Sequence, residues 1–147
     1  MSDVSKNAPG LGNGETIEQT QSFLPKFGAD GLMPAIVTDL KSGNVLMFAH
    51  MNEEALRKTI ASGFAHFWSR SRAKLWKKGE ESGNFLKVNE VRTDCDQDVV
   101  WIIAEVEGDG VACHTGATSC FYRRVVQGRD DGTVLEHVAL PRPLGHG

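Results

Sequence analysis

The chain has 147 residues, of which 40% are hydrophobic and 24% are charged, with 19 acidic against 16 basic side chains. This composition is too apolar for a disordered protein and too polar for a membrane protein, and it lacks the basic excess of a nucleic-acid binder. A chain of this length is expected to form a single domain with one core.

The first part of the chain predicts a tail, a hairpin and a helix. Residues 1–30 show no hydrophobic periodicity and are predicted to form a mobile N-terminal segment. Two short apolar runs, 35–38 and 45–49, flank a turn that contains glycine, which is typical of a β-hairpin. Asn52 is a favourable N-cap and Gly63 is a stop signal, so we expect a helix of about ten residues between them.

The rest of the chain is predicted to consist mainly of short strands. Residues 69–84 carry no periodicity and are predicted to form a long loop, which inside a compact domain is usually functional or disordered. Residues 128–147 are rich in glycine and proline and are predicted to be a C-terminal extension of a domain that spans 31–127. The strands are predicted at residues 64–68, 86–93, 99–106 and 120–126.

The expected cellular location rests on the lack of a membrane-spanning run and of a signal sequence. The longest purely apolar run, 99–104, is far shorter than the roughly 20 residues that cross a bilayer, and the N-terminus has no apolar signal core. We therefore expect a cytoplasmic protein. In a reducing compartment, the three cysteines are more often metal ligands, nucleophiles or buried side chains than disulfide partners.

The densest acidic cluster is the sequence DCDQD at 94–98. In an extended chain, alternation places Asp94, Asp96 and Asp98 on one side and Cys95 on the other. Three like charges at this spacing stay together only if they face water or bind a hard cation such as Mg²⁺. The spacing alone leaves a magnesium site and a solvated acidic turn open.

The cysteines do not show the C-x₂-C spacing of a structural zinc site. Three ligands would leave the fourth tetrahedral position of a zinc ion open for water, as in a catalytic site. The alternative is that Cys95, Cys113 and Cys120 are simply small buried side chains. His114 follows Cys113 and is a candidate fourth ligand or general base, because water on a thiolate-rich site is less acidic and needs a nearby base.

Five basic side chains are concentrated in the predicted loop of a chain that is acidic overall. Interleaved hydroxyls, guanidinium groups and indole rings suit phosphates and a purine ring. The acidic residues that follow, Glu80 and Glu81, argue against a large polyanion such as RNA, and a solvated charged face is the alternative. The candidate substrate-binding residues are Trp68, Ser69, Arg70, Ser71, Arg72, Trp76 and Lys78.

Four blocks carry these motifs: VLMFAHMNEEAL at 45–56, HFWSRSRAKLWKKGEESGN at 66–84, VRTDCDQD at 91–98 and ACHTGATSCFYR at 112–123. In this order they resemble the phosphoribosyl-AMP cyclohydrolase family of histidine biosynthesis. Joint agreement of four blocks is far more specific than any one of them. The resemblance therefore outweighs the alternatives for the cysteines, the aspartates and the basic loop.

The resemblance implies hydrolytic opening of the purine ring of N1-phosphoribosyl-AMP at its N1–C6 bond. It also implies one Zn²⁺ per subunit together with Mg²⁺. His114 would take or shuttle the proton of the attacking water, and the basic loop would hold the two ribose phosphates. By position, the zinc ligands match Cys95, Cys113 and Cys120, and the magnesium-binding carboxylates match Asp94, Asp96 and Asp98.

The fold class implied by the resemblance is α+β and mostly β: a small, strongly bent mixed sheet with one short helix, in an intertwined homodimer whose metal sites use both chains. The implied partners are a small-molecule nucleotide and a second copy of the chain, with neither nucleic acid nor membrane. Fewer than 25 residues follow the last block, so we expect the monofunctional form. His50 stands where the family usually has Tyr or Trp, and no catalytic role is expected for it.

Two other functions fit part of the pattern. A zinc nucleobase or nucleoside deaminase also attacks a base with metal-activated water, but its H-x-E and P-C-x-x-C signatures are absent. A zinc-stabilised binding module would use the basic loop for RNA or a protein partner. Such a module would unfold on chelation and show no turnover.

Overall fold

The structure is a computed structural model that describes residues 10–12, 14–129 and 132–140. Parts of the predicted N-terminal segment (1–30) and C-terminal extension (128–147) therefore lie outside the described residues. Within the described ranges, no helix is both long enough and apolar enough to cross a membrane.

The described residues form eight strands and one helix, so the prediction of a mostly β protein with one short helix is confirmed. In chain order, the elements are β1 (Met33–Asp39), β2 (Val45–Met51), α1 (Glu53–Ser62), β3 (His66–Ser69), β4 (Lys74–Lys77), β5 (Leu86–Thr93), β6 (Val100–Val106), β7 (Arg123–Gln127) and β8 (Thr133–His137).

Six strands form one mixed sheet in the order β4-β3-β2-β1-β6-β5. The central pair, β1 and β6, is parallel, with Ala35 opposite Val100, whereas every other neighbouring pair is antiparallel. Strands β7 and β8 form a separate two-stranded ribbon. The sheet brings the β3–β4 hairpin to one edge and the β5–β6 hairpin to the other.

The helix begins and ends where the capping residues predict. The Asn52 side chain accepts a hydrogen bond from the amide of Ala55 at 2.8 Å, and Gly63 ends α1 with a φ of 79°. A positive φ is readily available to glycine, and the Gly63 amide can then donate to the carbonyl of Thr59 at 3.0 Å. These local signals place the helix at Glu53–Ser62, as predicted.

The core forms where α1 packs against β2, β3 and β4, and it continues along the central strands. Met33, Ala35 and Val37 are fully buried while the residues between them are partly exposed, which is the period of two expected for a strand with one buried face. The largest fully buried side chain is that of Phe67 on β3. This packing fixes the strands from which the site residues project.

The prediction of a structureless loop over 69–84 is wrong in part, because β4 forms within it and pairs with β3. The strand has only four residues, and so short an alternation gives no clear periodicity. A tight turn joins the two strands, and Ala73 in this turn has a φ of 51°. The sequence candidates for substrate binding therefore lie on a hairpin.

The structure adds packing at both ends of the predicted domain. Ile17, in the predicted N-terminal segment, is only 5% exposed; the mobility of that segment stays a prediction. At the other end, β8 lies in the predicted C-terminal extension and pairs with β7, with Val125 opposite Leu135. The predicted boundary after residue 127 thus falls between two paired strands.

Candidate active site

A cleft of about 680 Å³ lies beside the β3–β4 hairpin. Its walls come from β2, from the hairpin with the turn after it, and from the segment 111–116. The structure thus brings the basic hairpin and one of the cysteine motifs to a single surface. The sequence candidates that line the cleft are Trp68, Ser69, Arg70, Ser71, Arg72, Trp76, Lys78, Cys113 and His114.

The turn of the hairpin presents its guanidinium groups to solvent. Arg70 and Arg72 are exposed, and the turn is held by a hydrogen bond from the Arg72 amide to Ser69 Oγ at 3.2 Å. On the adjacent strand, the Trp76 ring packs on the buried Phe67 ring, with centroids 5.2 Å apart. An indole fixed in this way beside exposed cationic groups suits a ligand that has a planar base and phosphates.

The turn that follows β4 depends on Gly79. This glycine has a φ of 92°, and a Cβ on it would lie 2.5 Å from the backbone of Asn84 and Phe85. No real side chain fits at that distance. The close approach holds Lys78 next to the cleft wall that Asn84 completes.

Cys113 and Cys120 lie together. Burial opposes ionisation of Cys113, which is 7% exposed, but hydrogen bonds from Thr115 and from the Cys120 thiol outweigh it and lower the pKa of Cys113. Burial and the neighbouring Cys113 raise the pKa of Cys120 to about 11. The pair therefore ionises first at Cys113, whose sulfur accepts a bond from Thr115 Oγ1 at 3.1 Å.

Main-chain hydrogen bonds fix both cysteines. The Cys113 amide donates to the carbonyl of Ala117 at 3.1 Å, which closes a tight turn around His114. The Cys120 amide donates to the carbonyl of Leu46 at 2.8 Å, at the start of β2. The His114 side chain is exposed and reaches the cleft beside Cys113.

Cys95 does not join this pair within one chain. It is exposed and follows β5, and the cluster of potential metal-binding side chains found in the described part of the chain consists of Asp94, Asp96 and Asp98. One chain thus brings together two of the three predicted zinc ligands. The donor set, two adjacent thiols with one readily ionised, is of the type that zinc binds.

The three carboxylates are gathered by a single turn. Their ligand oxygens all lie within 4.8 Å of one another, and the Asp98 amide donates to Asp94 Oδ1 at 3.0 Å. Although burial opposes it, hydrogen bonds from Asp96 and Asp98 lower the pKa of Asp94, while the bonds to Asp94 and Asp96 raise the pKa of Asp98. Three adjacent carboxylates in this geometry offer a set of oxygen ligands that suits a hard divalent cation.

No catalytic role is expected for His50 from the sequence, but in the structure this residue lies on the cleft wall. It pairs with Trp68 across β2 and β3, and its ring meets Phe48 edge to face at 5.2 Å. Burial, followed by the charge of Arg70, lowers the pKa of His50, which favours the neutral imidazole. The sequence signal that could have identified His50 is the alternation of side chains along β2, which puts Phe48 and His50 on one face of the strand.

Comparison with known proteins gives one consistent result. A family model described as phosphoribosyl-AMP cyclohydrolase matches residues 47–122, which include all three cysteines, the three aspartates and the β3–β4 hairpin. Proteins named phosphoribosyl-AMP cyclohydrolase are similar over most of their length. The one from Brucella anthropi is 59% identical over 117 residues, which cover 80% of this chain and 83% of that protein. The one from Brucella canis is 60% identical over 112 residues, which cover 76% of this chain and 81% of that protein. The one from Brucella abortus strain 2308 is 63% identical over 103 residues, which cover 70% of this chain and 87% of that protein.

Proposed function

The chain belongs to the phosphoribosyl-AMP cyclohydrolase family, a family of hydrolases, and from this premise we propose that it opens the adenine ring of phosphoribosyl-AMP between N1 and C6 in histidine biosynthesis. The observation that carries the proposal is the cleft in which the basic hairpin faces Cys113 and His114. A phosphate-binding wall and a group that can move a proton are then within reach of one nucleotide.

The hairpin supplies the binding groups. Arg70 and Arg72 can each donate paired hydrogen bonds to a phosphate, and Lys78 adds a positive charge deeper in the cleft. The indole rings of Trp68 and Trp76 offer apolar surface to the purine. Because the substrate carries phosphates on two riboses, a wall of several cations fits it better than it fits a nucleoside.

The thiols are proposed to hold zinc. Cys113 and Cys120 would bind it within one chain, and Cys95 of a second copy would complete the set. A zinc ion with three thiolate ligands and an open position supplies a water of lowered pKa. The lowered pKa of Cys113 supports this assignment, because the thiolate is the form that binds metal.

The proposed homodimer has independent support in the ribbon of β7 and β8. A two-stranded ribbon is marginally stable by itself in water, and this one exposes apolar side chains. Val125 is 70% exposed, and Leu135 opposite it and the adjacent Val134 are each 51% exposed. Burial of these side chains against a second copy would stabilise the ribbon and could bring Cys95 to the thiol pair.

His114 is proposed to move the proton. In the reaction, water adds to C6, His114 accepts the proton that the water loses, and N1 gains a proton as the N1–C6 bond breaks. The exposure of the His114 side chain and its position on the cleft wall beside Cys113 support this role. Asp94, Asp96 and Asp98 are proposed to bind Mg²⁺, which assists substrate binding.

The test is a metal-dependent turnover assay with phosphoribosyl-AMP, followed by ultraviolet absorbance. Activity should disappear after chelation and return with Zn²⁺, while circular dichroism shows that the chelated protein stays folded. Full activity in protein shown to be free of transition metal would exclude the zinc mechanism. Unfolding on chelation with no turnover before it would favour a zinc-stabilised binding module. We propose a cytoplasmic location, because three cysteines proposed as metal ligands suit a reducing compartment.

A further inference from the structure

One residue of the acidic turn points away from the carboxylates and into the protein. Gln97 lies between Asp96 and Asp98, yet it is only 5% exposed. Its φ is 59°, in the left-handed region that residues other than glycine seldom adopt. A long polar side chain in that state persists only if its surroundings hold it.

The residues that hold Gln97 come from the N-terminal segment. The Leu24 amide donates to Gln97 Oε1 at 2.6 Å, and Gln97 Nε2 donates to the carbonyls of Ser22 and Ile17 at 3.2 and 3.4 Å. The Lys26 amide donates to the carbonyl of Gln97 at 2.7 Å. Both ends of the side-chain amide and the main-chain carbonyl are therefore bonded to residues 17–26.

These bonds join two regions that are far apart in the chain. Residues 17–26 lie outside the stretch that matches the family model, whereas Gln97 lies within it. The three side-chain bonds reach main-chain atoms, so they depend on the path of the segment rather than on its side chains. The segment packs there with Ile17 buried, which anchors the contact.

We propose that residues 17–26, acting through Gln97, position the Asp94–Asp98 turn, and that Gln97 is a positioning residue for the three carboxylates and for Cys95. This inference rests on the proposed magnesium site. The left-handed conformation of Gln97 sets the direction in which the chain leaves Asp96 and enters Asp98. The bond from the Asp98 amide to Asp94 then closes the turn.

The first test measures Mg²⁺ binding by calorimetry in the full-length protein. Gln97→Gly removes the side chain but keeps a positive φ accessible, so it deletes the anchor without forcing the turn open. We expect Mg²⁺ affinity to fall roughly tenfold or more, as for other residues that orient metal ligands. The control is Gln21→Ala, which removes an exposed side chain of the same segment without loosening its main chain and should bind Mg²⁺ as the wild type does.

The second test starts from the wild-type protein and then uses the same variant. Because coupling between two sites is reciprocal, Mg²⁺ at the carboxylates should slow hydrogen exchange of the Leu24 and Lys26 amides in the wild-type protein. In Gln97→Gly the effect at Leu24 should be lost. Gln97→Gly that circular dichroism shows to be folded without Mg²⁺ should also recover turnover at high Mg²⁺, as weakened Mg²⁺ binding predicts.

The outcomes separate the inference from the function on which it rests. Equal Mg²⁺ affinity in the wild type and in folded Gln97→Gly would overturn the positioning role and leave the magnesium site intact. Exchange at Leu24 and Lys26 that saturating Mg²⁺ does not change would overturn it too, even if the variant failed to fold. Absence of Mg²⁺ binding to the wild type would overturn the magnesium assignment together with the inference.

Discussion

The two sets of predicted metal ligands differ in how the chain assembles them. Asp94, Asp96 and Asp98 fall within five residues, and one turn brings their oxygens within 4.8 Å of one another. The thiols are spread over the chain, and only Cys113 and Cys120 come together, the first held in a tight turn and the second bonded to distant Leu46. A ligand set that is local in sequence needs a turn, whereas a dispersed one needs tertiary structure and, in our proposal, a second chain.

The two sets share one electrostatic feature. In each, hydrogen bonds lower the pKa of one acid and raise the pKa of its neighbour: Asp94 beside Asp98, and Cys113 beside Cys120. The ligand atoms of each set are already adjacent, so a cation that binds there needs little rearrangement of the chain.

Removing a thiol of the adjacent pair should have the largest effect. Cys113→Ser keeps the size of the side chain but loses the thiolate, so we expect loss of bound zinc and a fall in kcat of roughly a thousandfold or more. Zinc is measured by mass spectrometry of the metal content and the fold by circular dichroism. A variant that keeps one zinc per subunit would show that Cys113 is not a ligand.

A mixing experiment tests whether the third thiol comes from another chain. Cys95→Ser and Cys113→Ser should each be inactive alone, because every site in either dimer lacks a ligand. After unfolding and refolding together, half of the dimers are mixed and one of their two sites is intact, so about a quarter of the activity should return. If the mixture stays inactive while wild-type protein treated in the same way recovers, all three thiols belong to sites within one chain.

Sequence prediction succeeded where the determining residues are close together in the chain and failed where they are far apart. Asn52 and Gly63 fix the helix by contacts within four residues, and the resemblance places the thiols and carboxylates by position. β4 was missed because its alternation covers four residues only. The burial of Gln97 could not be predicted, since its partners lie more than seventy residues away in a segment without periodicity.

In the cleft, too, only the residues with a local sequence signal were predicted. Its hairpin residues were predicted from a concentration of charge along the sequence, and the structure places them on one wall. The position of His50 on the cleft wall was not predicted, because it depends on the pairing of β2 with β3. Whether Cys95 meets the other thiols depends on the assembly, which a single sequence does not describe.

His114 tests whether the cysteine turn does more than bind metal. His114→Ala should keep its zinc but lower kcat by about 10²-fold or more, the usual effect of losing a group that moves a proton. His146→Ala, outside the stretch that matches the family model, is the control and should retain full kcat. Loss of zinc from His114→Ala would instead identify the imidazole as a fourth ligand.

The smallest effect is expected on the hairpin, which does not contribute ligands to either metal. Arg70→Ala should raise KM about tenfold with little change in kcat, because a phosphate contact is present in both the ground state and the transition state. Arg57→Ala, an exposed arginine of α1 outside the cleft, should leave KM unchanged.

Arg70→Ala and Arg57→Ala can also be compared by a measurement that needs no substrate, the pKa of His50. After burial, the charge of Arg70 is the next cause that lowers the pKa of His50. Removing that charge should raise the pKa of His50 toward its ordinary value, as followed by NMR titration of the ring, and Arg57→Ala should not. If neither KM nor the pKa of His50 responds to Arg70→Ala, the guanidinium does not act in the cleft, and phosphate binding has to be assigned to Arg72 and Lys78.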